Sequence, residues 1–361
     1  MSQVLYRKYR PRSFSEVAGQ EHIITTLQNT IKMGNVAHAY LFTGPRGTGK
    51  TTTARLFSKL LNCENPVKFD ACLKCLPCKE IESGSFADLI EIDAASNRGI
   101  ENIRDLKDAV RFSPNIGKYK IYIIDEVHML SKDAFNALLK TLEEPPAHAI
   151  FILATTELHK VLPTVVSRTQ KFDFRYLTHK EILDRIKVLA KKEGKSLEDE
   201  SARIIMAASG GSLRDAESIL GQVLSLSSVA PDDVRSVLGI PSLSAISIFI
   251  DHIVQKNTND VLGHINTLAE QGADFTQFAQ SAVEYARILL LMKLSPSSQN
   301  MLTAHLSDEE IKTASHQVNE LTEKQLYAII GALLEAGNDV KNSPVPQLPL
   351  ELAAAKLAGD S

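Results

Sequence analysis

This sequence has little excess charge of either sign, no apolar run long enough to cross a membrane, and no cysteine outside one short segment. Each shortage excludes something. Lysine and arginine number 40 against 43 aspartates and glutamates, a net charge of −3. Any binding to nucleic acid therefore has to use a local basic face or a partner. The opening residues, Met1 to Lys8, carry no secretory apolar segment. Together with the missing span, this predicts a cytoplasmic protein with no membrane partner. All four cysteines fall between residues 63 and 78, which suits a metal in a reducing compartment better than a disulfide scaffold. There is no internal repeat and no low-complexity tail. The remaining composition, 44% hydrophobic and 23% charged over 361 residues, is ordinary for a globular protein of two or three domains.

What is present is organised around Gly44-Pro45-Arg46-Gly47-Thr48-Gly49-Lys50-Thr51, a complete G-x-x-x-x-G-K-[ST] phosphate loop. It follows an apolar strand pattern, Ala39 to Thr43, and precedes a helical one from Thr52 to Leu61. Glycines let the backbone wrap a phosphate, N–H groups point inward, and the helix start adds positive potential. Lys50 is placed for the β- and γ-phosphates of a nucleotide and the Thr51 hydroxyl for Mg²⁺. Ahead of the loop, Tyr9-Arg10-Pro11 belongs to an extended basic arm. The arm either folds over a nucleotide base or is an ordinary surface segment.

Three further strand patterns follow, over 87–92, 119–124 and 149–154, and a fifth over 170–174. Helical patterns separate the first three, which predicts a parallel sheet covered on both faces. Asp125-Glu126 closes the second of these strands. Beside a phosphate loop, Asp125 is expected to hold Mg²⁺ with Thr51, and Glu126 to activate the attacking water. Thr155 and Thr156 close the next strand, where a hydroxyl could reach the γ-phosphate or the water. The alternative for such a pair is a plain β-former. Cys63, Cys72, Cys75 and Cys78 have the spacing of a four-thiolate zinc site, structural because no position stays open; disulfides or free thiols are the alternatives.

From Thr178 onward the pattern is helical. Thr178-His179-Lys180-Glu181 has capping-box spacing. Ser212 caps a helix with Arg214 in its first turn, where a cation opposes the macrodipole. A phosphate ligand would rationalise Arg214, and so would an ion pair with Asp215 or Glu217. Ser167-Arg168 lies in a loop, and its arginine gains interest only if that loop faces another subunit. Residues 242–361 read as an all-α unit without catalytic groups.

These segments together resemble the gamma/tau subunits of the bacterial DNA polymerase III clamp loader, within the AAA+ ATPases. The specific parts are the cysteine insertion after the phosphate-loop helix and Asp125-Glu126-Val127-His128-Met129-Leu130. Leu138 to Pro146, Ala154-Thr155-Thr156, Ser167-Arg168 and Gly211-Ser212-Leu213-Arg214-Asp215-Ala216 add to them. The resemblance implies a P-loop AAA+ domain over 1–177 with five parallel strands, a helical lid over 178–241 and a helical collar over 242–361. It places the phosphate-loop strand beside the strands ending in Thr155 and in Asp125-Glu126. It makes Arg168 an arginine finger acting in trans, with Thr169 where the family has cysteine, and Arg214 a sensor on the γ-phosphate side. Thr155 joins Lys50 and Glu126 as catalytic, and Thr52 and the 9–11 arm join the nucleotide contacts.

The implied activity is ATP hydrolysis that opens a sliding clamp and loads it on primer-template DNA. The implied assembly is a ring, five-membered, with delta-like and delta-prime-like subunits and copies of this chain, in a nucleoid-associated replisome. No polymerase active site is visible, and the end at Ser361 resembles a short gamma-like form or a truncated chain. For DNA, Arg98, Arg104, Lys107 and Arg111 share one helix region, with 104, 107 and 111 on one face; they either track phosphates or form a solvated face. Two other readings are a branch-migration helicase subunit and a non-hydrolysing delta-prime-type scaffold. Intact Lys50, Thr51, Asp125 and Glu126 speak against the scaffold.

Overall fold

A computed structural model describes residues 4–97, 99–226, 228–295 and 308–359, without the side chains of residues 100, 102, 104, 105, 308 and 309. The short apolar stretches bounded by loop signals form strands β1 (Ala39–Thr43), β2 (Leu89–Asp93), β3 (Lys120–Asp125), β4 (Ala149–Thr155) and β5 (Gln170–Asp173). They make one parallel sheet in the order β2-β3-β4-β1-β5. Of the two strands expected beside the phosphate-loop strand, the one ending in Thr155 is there and the one ending in Asp125 is not. β1 pairs with β4 and β5, and β3 lies one strand further out, on the far side of β4. The reason is burial: all seven residues of β4 are buried, so it takes an interior place between two buried partners. Because every strand runs the same way, Thr43 aligns with Thr155 and Asp93 with Asp125 at one edge of the sheet, where ligands of open α/β sheets bind.

Alternate residues of each strand feed two cores. Tyr40, Phe42, Ile123 and Ile152 pack with Ile23 and Leu27 of α2 (Glu21–Lys32) and with Leu56 and Phe57 of α3 (Lys50–Leu61). Leu41, Tyr122, Ile124 and Phe151 pack on the other face with Ile103 and Leu106 of α5 (Ile100–Val110) and Phe135 and Leu138 of α6 (Lys132–Glu143). The Ser131 hydroxyl caps α6 by accepting from Ala134 N at 3.2 Å, and the helix stops at Glu143 before Pro145-Pro146. The chain is a phosphate-loop α/β fold followed by a mostly helical region.

It divides into two compact units, Met1–Lys192 with Ser209–Gly221, and Glu193–Ala208 with Gln222–Ser361. In the first, α8 (His179–Lys192) starts with the expected capping box: Glu181 N donates to Thr178 Oγ1 at 3.3 Å, and Thr178 N to Glu181 Oε2 at 2.7 Å. The second unit contains α9 (Asp199–Ala208), α11 (Pro231–Leu238), α12 (Leu243–Val254), α13 (Thr258–Glu270), α14 (Phe275–Leu294), α15 (Asp308–Glu320), α16 (Glu323–Val340) and α17 (Leu348–Gly359). Phe249, Ile265, Phe278, Leu289, Leu333 and Leu350 are buried together there. Among the described residues no single helix is long and apolar enough to cross a membrane.

Candidate nucleotide-binding site

The phosphate loop leaves β1 and enters α3 under tight steric control. Gly44 has φ +136°, and a Cβ there would lie 2.2 Å from the Phe174 carbonyl oxygen. Gly47 has φ +76°, and a Cβ would lie 2.0 Å from Ser212 Oγ. Only glycine fits both places, and the second ties the loop to the start of α10 (Leu213–Val223). The Thr48 hydroxyl donates to the Pro45 carbonyl at 2.9 Å and closes the turn. Lys50 is 6% exposed, and its ammonium donates to the Gly44 and Pro45 carbonyls, each at 2.7 Å. Burial pulls its pKa down while Glu126 and Asp125 pull it back up, so a desolvated cation is held against the loop. Thr51 Oγ1 donates to Asp125 Oδ2 at 2.6 Å. A hydroxyl and a carboxylate in contact beside a phosphate loop are the oxygen donors a Mg²⁺ ion takes when it also binds phosphate.

One cleft gathers these groups. It is lined by Tyr6, Arg10, Pro11, Glu16, Val17 and Ala18 from the N-terminal arm, by Arg46 to Thr52, by Asp125 and Glu126, and by Arg185, Leu213, Arg214 and Glu217. Arg214 takes neither acidic partner that its sequence position offers. Glu217 pairs with Arg185 at 3.0 Å, both mostly buried, and Asp215 lies 4.0 Å from Arg46. Burial pushes the Glu217 carboxyl pKa up, and Arg185 draws it back. The Arg214 guanidinium instead sits 4.7 Å from the centroid of the Tyr6 ring, a cation–π contact. Tyr9 is held by its carbonyl, which accepts from Arg185 Nη2 at 2.6 Å, and does not line the cleft.

Sequence patterns did not single out Tyr6, Arg185 or Glu16. The available signal was slight: Glu217 follows Arg214 by one helical turn, and Arg185 lies between the apolar Ile182 and Ile186 of α8.

Glu126 leaves β3 with φ +48°, the left-handed region that a side chain enters at a cost. Its Oε2 accepts from the Thr156 hydroxyl at 2.9 Å and from Thr156 N at 3.3 Å. Thr155 is fully buried, its hydroxyl 2.9 Å from His128 Nδ1 and accepting from Glu157 N at 3.0 Å. Of the threonine pair, Thr156 touches Glu126 and Thr155 packs behind it.

Arg168 follows α7 (Pro163–Val166) and lies outside the cleft lining. Its Nη1 donates to the Thr164 carbonyl at 2.8 Å and its Nη2 lies 2.9 Å from Glu143 Oε1. Of the four DNA candidates, Arg98 and the side chain of Arg104 lie outside the described residues. Lys107 is half-buried on α5, and Arg111, just past its end, is exposed.

The sulfurs of Cys63, Cys72, Cys75 and Cys78 all lie within 4.8 Å of one another, none in a disulfide. The Cys72 to Cys78 separation is 3.9 Å. A tetrahedron of thiolates at about 2.3 Å from a zinc ion has edges of roughly 3.8 Å, so the four fit such an ion. Cys72 Sγ accepts from the N–H groups of Lys74 at 3.5 Å and Cys75 at 3.4 Å, which pull its pKa down to about 6. Burial pushes Cys63 and Cys78 up.

Residues 19–178 match the family described as DNA polymerase III, delta subunit, and residues 229–360 match DNA polymerase III subunits gamma and tau domain III. DNA polymerase III subunit tau of Bacillus subtilis is 43% identical, over 99% of this chain and 64% of that one. Subunit tau of Salmonella typhimurium is 41% identical, over 82% and 46%. Subunit gamma of Buchnera aphidicola from Schizaphis graminum is 35% identical, over 97% and 96%. The chain thus spans less than two thirds of the tau relatives and nearly all of that gamma relative. With both family matches and these identities in hand, the chain belongs to the gamma and tau subunits of DNA polymerase III.

Proposed function

We propose that this chain is an ATPase motor subunit of a clamp loader, using ATP to open a sliding clamp and place it on primer-template DNA. The observation that carries this reading is the cleft of the first unit, where Lys50, the Thr51–Asp125 pair, Glu126 and Arg214 converge. Each answers a need of phosphoryl transfer. Loop N–H groups and Lys50 neutralise the β- and γ-phosphates, Thr51 and Asp125 hold Mg²⁺, and Glu126 orients the water and takes its proton. Arg214 moves from the Tyr6 ring to the γ-phosphate, and the 6–18 arm covers the base. Zn²⁺ in the cysteine cluster is structural, since four thiolates leave no position for water.

Arg168 serves a neighbour's ATP. Its place outside its own cleft, at the surface against Glu143, supports action in trans. The assembly is then a ring, proposed as five subunits, with delta-like and delta-prime-like members. Residues 1–177 form its motor domains, 178–241 the lids and 242–361 the collar. Lys107 and Arg111 meet DNA in the chamber. The setting is the cytoplasmic replisome at the nucleoid.

The test is Glu126→Gln in the assembled complex. Turnover should fall at least about a hundredfold while ATP affinity and clamp binding persist, because a positioned general base contributes typically 10²–10⁴-fold. Undiminished turnover would remove Glu126 from the reaction. Clamp-stimulated hydrolysis without processive duplex unwinding separates loading from branch migration.

A further inference from the structure

The four cysteines sit at three junctions. Cys63 lies just past α3, Cys72 just past a tight hairpin joining Val67 and Asp70, and Cys75 and Cys78 at the start of α4 (Leu76–Ser83). Val67 N donates to the Asp70 carbonyl and Asp70 N to the Val67 carbonyl, each at 2.9 Å. The two central residues, Lys68 and Phe69, have φ +49° and +60°. A type I′ turn demands such a left-handed pair, and it favours glycine, asparagine or aspartate there. Neither residue is one of these, so contacts outside the turn have to hold it. They come from α2: Gln28 Nε2 donates to the Phe69 carbonyl at 3.1 Å, and Lys32 lies 5.3 Å over the Phe69 ring.

What the strained turn presents is Asp70. Its Oδ2 accepts from the Phe14 N–H at 2.9 Å, and its Oδ1 from Ala71 N at 2.8 Å. Phe14 itself is 2% exposed, packed in the core with Phe57. The far end of the cysteine module grips the same stretch. Glu82 of α4 pairs with Arg12 Nε at 3.2 Å and with Lys59. Lys59 is 3% exposed and also donates to the Arg12 carbonyl at 3.3 Å. Arg12 and Phe14 stand between the arm's two cleft-lining stretches, Arg10 with Pro11 and Glu16 to Ala18. The arm thus crosses the cleft with its middle tied to the cysteine module by a backbone hydrogen bond and an ion-pair cluster.

We propose that the cysteine module is a strap on this arm, with Asp70 and Glu82 as positioning residues that hold residues 10–18 over the cleft and so set nucleotide affinity. The inference rests on the reading of the cleft as a nucleotide site whose base the arm covers. An N–H bond to an ionised carboxylate belongs to the stronger class of hydrogen bonds, and it fixes main chain rather than a mobile side chain. Apparent affinity scales with the fraction of molecules in which the binding-competent arrangement is populated. The cysteines join the hairpin to α4, so the two holds act on the arm as one body.

The experiment uses the full chain in its zinc-loaded form, with binding of ATP and of inorganic tripolyphosphate measured by calorimetry. Asp70→Ala should weaken ATP binding about threefold or more, as it does if the arm is in place a third of the time. Tripolyphosphate has no base for the arm to cover, so its affinity should stay within about twofold of the parent. Zinc content should match the parent, and amide exchange over residues 9–18 should quicken. Glu82→Gln should shift ATP affinity in the same direction by less. The proposal is overturned if Asp70→Ala binds ATP as the parent does, if tripolyphosphate weakens in step with ATP, or if the loss appears only in chains that have lost zinc. Arg10→Ala run alongside separates the two readings. If it weakens ATP binding while Asp70→Ala does not, only the strap has failed. If neither weakens it, the arm reading has failed and the strap with it.

Discussion

The two compact units of this chain bury polar groups for different ends. In the first, Lys50, Thr155, Glu217 and Asp88 are nearly or wholly buried, and most of their contacts point to one cleft or brace its walls. Asp88 is the exception, holding a loop at the sheet edge away from the cleft: burial alone would raise its pKa, yet N–H groups of Gly117, Ile116 and Asn115 hold it below the usual carboxylate range. In the second unit the core is aliphatic and aromatic, and a buried polar knot sits within it. There Gln317 receives the Tyr285 hydroxyl at 2.5 Å and donates to Ser247 Oγ at 3.0 Å and to Asp251 at 2.6 Å. That knot is satisfied by its own helices, so it fixes packing rather than offering a site. The first unit holds the cleft groups and the second a packed core, so chemistry and scaffolding should fail separately when mutated.

The largest expected departure is in the scaffold. Phe278 is fully buried between Phe249 and Phe275, and Phe278→Ala should remove about 3–5 kcal/mol of stability from the second unit. Denaturant melts of the full chain should show it, with ATP affinity of the folded protein unchanged. Loss of ATP affinity in folded Phe278→Ala would break the separation.

A much smaller effect sharpens it from the other side. Arg175 grips Glu181 through two bonds, at 2.6 and 2.9 Å, and with the Thr178 N–H lowers its pKa from 4.5 to about 2. A depressed carboxylate pKa stabilises the fold above the unfolded value and loses that contribution as pH falls. The window here is therefore from about 4.5 down to about 2. Glu181→Gln should cost under about 1 kcal/mol at neutral pH, as exposed pairs do. The difference from the parent should shrink through that window, and a difference that held constant to pH 2 would show the ion pair contributes nothing.

How much of this could be read from the sequence follows the range of each interaction. The phosphate loop, the Thr178–Glu181 box and the clustered cysteines are local patterns, and each is where its spacing placed it. Contacts that join distant segments were not legible. The partner of Glu217 is Arg185, 32 residues away, and Arg214 stacks on Tyr6, 208 positions earlier. The order of strands also escaped, because β4 enters between β1 and β3 only once the sheet is assembled. Thr155 and Thr156 look alike in sequence, and period-two alternation decides between them: the first turns inward to His128 and the second reaches Glu126.

The central claim is that each cleft is completed by a neighbour's Arg168, and mixing two inactive chains tests it most directly. Lys50→Ala removes nucleotide handling but keeps the finger, and Arg168→Ala keeps the cleft but lacks the finger. An arginine finger is worth about 10³–10⁵ in rate, so complexes built from either chain alone should be nearly silent. Complexes assembled from both should regain turnover wherever an intact cleft meets an intact Arg168. A mixture as silent as its components, or an Arg168→Ala complex that turns over at the parent rate, would contradict the account.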